Sequence, residues 1–277
     1  MRTLSITTAW NESSDFLKRH FGALFTIALA LIALPSVVAQ ALGPGAGSGT
    51  AGQPPEPGLW MLLVPVVLVL NLAGSLAISS LALGRKNVVG EAIAHGLRRA
   101  PALLGAILIL IAAASLLLIP LTLISGVTPE MLAQPNPAKA GRYLLTMILF
   151  GAIALSFAAR LLLVTPIAAA EAVGPIAIIR RSWSLTSGHF AKLLGFLGLM
   201  IILAVVVTAV VTLLFGLLAV AVAGPPEPRS IVALLLLLVG GIVNAAFVVV
   251  TTTLVARIYL QLAGPAGAGG SASTTGT

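Results

Sequence analysis

The residues best suited to chemistry gather in one stretch: Arg160, Thr165-Pro166, Glu171, Gly174-Pro175, then Arg180-Arg181-Ser182-Trp183-Ser184-Leu185-Thr186-Ser187-Gly188-His189. A guanidinium matches phosphate oxygens two hydrogen bonds at a time. Arg180 and Arg181 therefore form a candidate grip on a lipid phosphate, with Arg160 nearby in sequence. Ser182 and His189 add donors, Glu171 can orient an arginine, and Trp183 suits the depth of the headgroup layer. The same residues also have a structural reading. In it the arginines fix topology, Trp183 anchors depth, and Glu171 pairs with Arg160 or Arg180. Arg160 then snorkels from its helix to the headgroups at low cost.

A second set lies deeper. Asn71 and Asn244 stand inside long apolar runs, where an amide wants a partner on another helix. They can bond across a bundle, to each other included, or line a polar path with Ser75, Ser79, Thr251 and Thr252.

Signatures of catalysis are missing. His20, His95 and His189 are far apart, no His-Glu-x-x-His occurs, and of seven carboxylates Glu56, Glu130 and Glu227 fall in outer loops. There is no Gly-x-Ser-x-Gly elbow and no Gly-Lys-Ser/Thr phosphate loop. Gly47-Ser48-Gly49-Thr50-Ala51-Gly52 fits Gly-x-Gly-x-x-Gly but follows an apolar run rather than a strand. The chain has no cysteine, so disulfides and thiolate metal sites are excluded. No catalytic residue, cofactor or metal is expected.

The elements that must position these residues are six apolar runs: Phe21–Leu42, Leu59–Leu83, Ala102–Ile124, Tyr143–Val164, Leu193–Ala223 and Ile231–Val255. Five carry no charge, and the fourth carries only Arg160. At about 1.5 Å per residue, about 20 residues cross a hydrocarbon core roughly 30 Å thick. The chain is 59% hydrophobic and 8% charged. It reads as an all-α integral membrane protein with six transmembrane helices in a domain over 21–262. A cytoplasmic amphipathic segment, 1–20, precedes this domain, and an uncharged, disordered Gly/Ala/Ser/Thr tail, 263–277, follows it.

A net charge of +8 suggests nucleic acid until the charges are placed. Six crossings put both termini on one side. That side holds Arg2, Lys18, Arg19, Arg85, Lys86, Arg98, Arg99, Arg160, Arg180, Arg181, Lys192 and Arg257, whereas the other holds only Lys139, Arg142 and Arg229. Basic residues stay in the cytoplasm, so both termini are expected there, in a bacterial-type inner membrane, with anionic headgroups as partners and no nucleic acid. Lys18-Arg19, the apolar run and Ala39-Gln40-Ala41 imitate a signal peptide, but the long patterned leader argues against cleavage.

The outer connections, Gly43–Gly58, Ser125–Arg142 and Gly224–Pro228, read as loops. Each odd-numbered run is instead preceded by a short amphipathic stretch. Its apolar stripe is Ile6, Trp10, Ser13 and Leu17 before the first run, Val89, Ile93 and Leu97 before the third, and Ile176, Ile179, Trp183 and Phe190 before the fifth. Pro166 is expected to kink or stop the fourth run, and Pro175 to begin the third amphipathic helix. Thr186 or Ser187 is placed to cap the fifth run, with Gly188 at the turn. The layout suggests three interfacial-helix-plus-hairpin units. Two return runs share a pattern, Asn71 before Ser79, Ser80 and Arg85, and Asn244 before Thr252, Thr253 and Arg257; the fourth keeps Ser156 before Arg160. Gly241 and Ala245, or Ala191 and Gly195, fit small-x-x-x-small packing.

Ile179-Arg180-Arg181-Ser182-Trp183-Ser184-Leu185-Thr186-Ser187-Gly188-His189 leading into a span, with Arg160, Pro166 and Glu171 ahead of it, resembles the membrane domain of the glycerophosphoryl diester phosphodiesterase family. It is also similar to related six-helix inner-membrane proteins. In complete family members this domain accompanies a soluble hydrolase barrel. No segment here can be that barrel, because every long segment is an apolar span. The resemblance thus implies a non-catalytic domain that binds phospholipid headgroups or scaffolds a soluble partner. The alternative is a small-solute or lipid transporter using the polar positions of the even-numbered runs.

Overall fold

A computed structural model describes residues 5–43, 58, 60–86, 88–125, 140–224 and 230–264. Helix α1 (Ile6–Ala28) passes through a π-helical turn (Leu29–Ala33) into α2 (Leu34–Leu42). Then come α3 (Trp60–Ala82), α4 (Val89–Ser125), α5 (Ala140–Leu161), the short α6 (Val164–Ala170), α7 (Pro175–Thr186), a 3-10 turn (Ser187–His189), α8 (Phe190–Ala223) and α9 (Ile231–Ala263). There is no strand among the described residues. Six helical stretches are long and apolar enough to cross a membrane.

Their surfaces say which solvent they meet. Helix α8 spans 34 residues and exposes Leu213, Leu214, Leu217, Leu218 and Val222 on several sides. Such a surface suits hydrocarbon, where a helix satisfies its own backbone and needs no apolar partner. The outer connections and the tail beyond Gly264 fall outside the described residues, except for a few terminal positions.

The helices close in a ring. The returning helix of each pair packs most extensively on the outgoing helix of the next: α3 on α4, α5 on α7 and α8, and α9 back on α1 and α2. Gly84, at φ 69°, lets the chain reverse from α3 towards α4. One buried cluster surrounds α6, joining Leu163 and Ile167 to Leu76, Leu103, Ile178, Leu193, Leu254 and Tyr259. A second joins Leu24, Ile27 and Ile32 of the first helix to Ala77, Ile78, Ala245 and Val249. The leading segment thus contributes core residues.

Proline and glycine explain the irregularities. Pro35 cannot donate to the carbonyl one turn back, and the wide turn Leu29–Ala33 immediately precedes it. Gly74 of α3 and Gly241 of α9 receive this widened stretch. A Cβ on Gly74 would meet Ile32 Cγ1 at 3.0 Å, and one on Gly241 would meet Val37 Cγ2 at 2.7 Å. Gly241 and Ala245 therefore do form a close-packing pair. Ala191 and Gly195 do not: both are exposed, and a Cβ on Gly195 would meet open space.

Two sequence expectations need correction. First, two of the three amphipathic stretches are not separate helices. Residues 6–20 run unbroken into α1, and Val89–Ala100 belongs to α4, with Pro101 accommodated inside it. Only α7 is set apart, by Ser187–His189. The apolar stripes, read as lying against the membrane, coincide with the fully buried faces only at Ser13. Trp10, Leu97, Ile176 and Trp183 are exposed, whereas Ala9 and Ser13, Ala92, Gly96 and Ala100, and Ile178, Ser182 and Thr186 are buried. In a lipid setting large apolar side chains gain nothing by turning inward, and small residues let backbones approach. A Cβ on Gly96 would collide with the carbonyl oxygen of Ala73. Second, neither Thr186 nor Ser187 caps α8. His189 occupies the N-cap without a side-chain capping bond, and both hydroxyls donate to carbonyls behind them.

The stop near Pro166 falls slightly earlier than that residue, at Leu162 and Leu163. Pro166 sits in the first turn of α6, where its missing N–H is not needed. Pro175 begins α7 as expected, with extended Gly174 ahead of it.

Candidate site at the arginine-bearing end

The C-terminus of α5 leaves carbonyls without helical partners, and α7 supplies them. Ser182 Oγ donates to the Arg160 carbonyl at 2.8 Å, and Thr186 Oγ1 shares its proton between the Ser182 carbonyl at 2.9 Å and the Arg160 carbonyl at 3.3 Å. Ser182 and Thr186 are fully buried, so these bonds tie α5 to α7 inside the protein.

The Arg160 side chain does not simply snorkel. Its guanidinium carbon lies 5.2 Å from the Trp183 ring centre and 4.8 Å from that of Phe190. A cation between two aromatic faces is held by their negative π clouds. Phe157 meets Trp183 edge to face at 6.0 Å and completes the cage. Nη1 of Arg160 is buried without a hydrogen-bond partner among the described residues. Arg257, at the corresponding end of α9, repeats the arrangement 5.0 Å from the Phe16 ring of α1.

Glu171, in the link between α6 and α7, pairs with neither Arg160 nor Arg180. Its Oε1 accepts Arg181 Nε at 3.4 Å and the Tyr259 hydroxyl at 2.8 Å. The register of α7 explains this: Ile178, Ser182 and Thr186 face the core, which turns Arg181 towards the link and Arg180 outward. Tyr259 was missed in sequence. The available signal was a tyrosine at the end of an apolar run, whose hydroxyl requires a partner once the ring is buried. His95 was likewise passed over; its Nε2 donates to the Ala169 carbonyl at 3.0 Å, pinning α6 to α4.

The predicted headgroup set therefore divides. Arg160, Ser182 and Trp183 come together at the α5–α7 junction, and Glu171 meets Arg181. Arg180 is exposed and makes no hydrogen bond or ion pair with the described residues. His189 stands half-buried at the start of α8, beside Phe190.

Asn71 and Asn244 line one cavity on the opposite half of the bundle. No bond joins them. Asn71 Nδ2 donates to the Val67 carbonyl at 2.8 Å and to Ser36 Oγ at 3.3 Å. Ser75 and Thr251 bond back to carbonyls of their own helices, so they lend little polarity to a path.

Six apolar helical stretches, with polar contacts turned inward and large side chains outward, define a multi-pass helical membrane protein. Residues 137–266 match the family described as the membrane domain of glycerophosphoryl diester phosphodiesterase. The matched stretch, just under half of the chain, runs from before α5 to just past α9. It takes in Arg160, Glu171, Arg180–His189, Asn244 and Tyr259, and leaves Asn71 outside. The description names the membrane domain alone. No curated protein and no solved structure matches the chain.

Proposed function

We propose that this chain is a non-catalytic membrane domain that holds anionic phospholipid headgroups at its arginine-bearing end. That end is taken as cytoplasmic because basic residues concentrate there. One observation carries the reading: of the three candidate arginines, Arg160 is caged by aromatics and Arg181 is paired, whereas Arg180 is exposed and uncommitted beside half-exposed Trp183. A cation next to an interfacial indole suits a phosphate at headgroup depth. The resemblance in Ile179–His189 supports the same assignment.

Native mass spectrometry of the chain from nanodiscs of phosphatidylcholine with phosphatidylglycerol tests it. Arg180→Ala should weaken retention of phosphatidylglycerol roughly fivefold, as expected for about 1 kcal/mol per basic residue near a lipid surface. Equal retention in wild type and variant would overturn the reading, and turnover of a glycerophosphodiester by the purified chain would overturn its non-catalytic part. Because the protein has no cysteine, single cysteines placed beside Arg180 and in the 44–57 connection report by labelling which end is cytoplasmic.

A second reading, movement of a small solute or lipid past the even-numbered runs, draws on one observation: Asn71 and Asn244 meet at a single cavity.

A further inference from the structure

The π turn with α2, the first half of α3, the second half of α8 and the first half of α9 surround a cavity of about 920 Å³. Small-molecule sites usually measure roughly 300–1,000 Å³, so this one is large. Its wall is mostly aliphatic and aromatic, interrupted by Ser36, Gln40, Asn71, Thr212 and Asn244, and no charged side chain among the described residues lines it. Asn244 has no hydrogen bond with the described residues, and both bonds made by Asn71 use its amino group, which leaves its carbonyl oxygen unpaired among them.

We propose that this cavity binds an uncharged amphiphile from the surrounding bilayer: a neutral lipid with an apolar body and one or more hydroxyl or amide groups. A hydrocarbon occupant would leave the Asn244 amide and the Asn71 side-chain carbonyl unpaired in an apolar medium, at a cost of about 1–3 kcal/mol for each such group. A phosphate or ammonium would enter a wall with no countercharge, and desolvating an ion there costs several kcal/mol. A hydroxylated neutral lipid satisfies the asparagines and adds no buried ion. The inference requires only occupancy of the cavity, so it stands apart from transport and from the headgroup site around Arg180.

The wall also supplies a clean way to close it. Gly216 and Gly240 both face the cavity, and a Cβ on either meets nothing within 4 Å. Gly216→Leu with Gly240→Leu therefore sends two side chains into the space from positions where the first added carbon meets no neighbour. The full chain in phosphatidylcholine nanodiscs is irradiated with a diacylglycerol carrying a photoreactive acyl chain, and labelled peptides are mapped. Labels should concentrate on the walls formed by α2, α3, α8 and α9 and fall at least tenfold in the filled variant. Dioleoylglycerol should compete, whereas dioleoylphosphatidic acid at equal concentration should not. Ser156→Ala, on α5 away from the cavity, should leave the labelling unchanged. Labelling spread along the exposed flank of α8, undiminished labelling in the filled variant, or equal competition by phosphatidic acid would each overturn the proposal. A melting curve reports whether the filled variant folds. If it does not, Asn244→Leu, close in volume, decides: it should lower labelling severalfold, and unchanged labelling would overturn the proposal.

Discussion

The two ends of this bundle are built differently. At the arginine-bearing end, α6 is enclosed by α3, α4, α7 and α9, hydroxyls close the end of α5, and glycine brings α4 against the backbone of α3. At the other end α2, α3, α8 and α9 stand apart around 920 Å³, and the exposed side chains of α8 face outward. Hydrophobicity of the buried cores does not distinguish the two, since leucine, isoleucine, valine and alanine supply most of the packing at both. Small residues and backbone-directed hydroxyls do. Where lipid is as apolar as leucine, helices meet where shape and hydrogen bonds favour it and separate elsewhere.

The largest effect should come from exchanging the glycines of the two ends. Gly96→Leu forces a side chain into the Ala73 carbonyl and should cost about 3 kcal/mol, seen as a steep fall in melting temperature in detergent. Gly216→Leu should leave that temperature unchanged or slightly raised, because leucine favours helix over glycine by up to about 1 kcal/mol. Similar losses for both would erase the contrast between the ends.

An intermediate effect belongs to the hydroxyl closure. Ser182→Ala with Thr186→Val removes both donors to the Arg160 carbonyl and should destabilise by about 1–3 kcal/mol. Ser156→Ala serves as the control. Its hydroxyl only bonds back to Ala152 at an exposed site, and the change should stay within about 0.5 kcal/mol. Equal shifts would mean that the α5–α7 junction is not a stabilising contact.

The smallest effect tests the tie between α7 and α9. Tyr259→Phe keeps the buried ring and loses the bond to Glu171, for about 1 kcal/mol. Arg181→Gln removes an ion pair whose partners are 44% and 24% exposed and should cost less, because solvent screens it. Protection of α9 amides near residue 259 in hydrogen exchange would register the first change and not the second; the reverse order would place the tie at Arg181.

Sequence alone determined the class and the spans of this protein. Long uncharged runs have one economical solution, a helix that satisfies its own backbone in hydrocarbon, and the match over 137–266 agrees with the resemblance carried by Ile179–His189. The ends of the spans were legible to within a few residues where proline and glycine mark them, as at Pro175. The inward faces were not legible. Trp183 and Ile176 dominate the apolar stripe of α7, yet Ser182 and Thr186 point inward, because hydropathy separates membrane from water but not membrane from protein interior. Glu171 had three arginines within reach along the chain and a tyrosine 88 residues away. Only the folded register of α7 against α9 selected Arg181 and Tyr259. Asn71 and Asn244 were visible as polar positions in apolar runs. That they face one cavity, without touching, was decided by how far α3 and α9 separate beyond Gly74 and Gly241, a matter of tertiary packing that no single run contains.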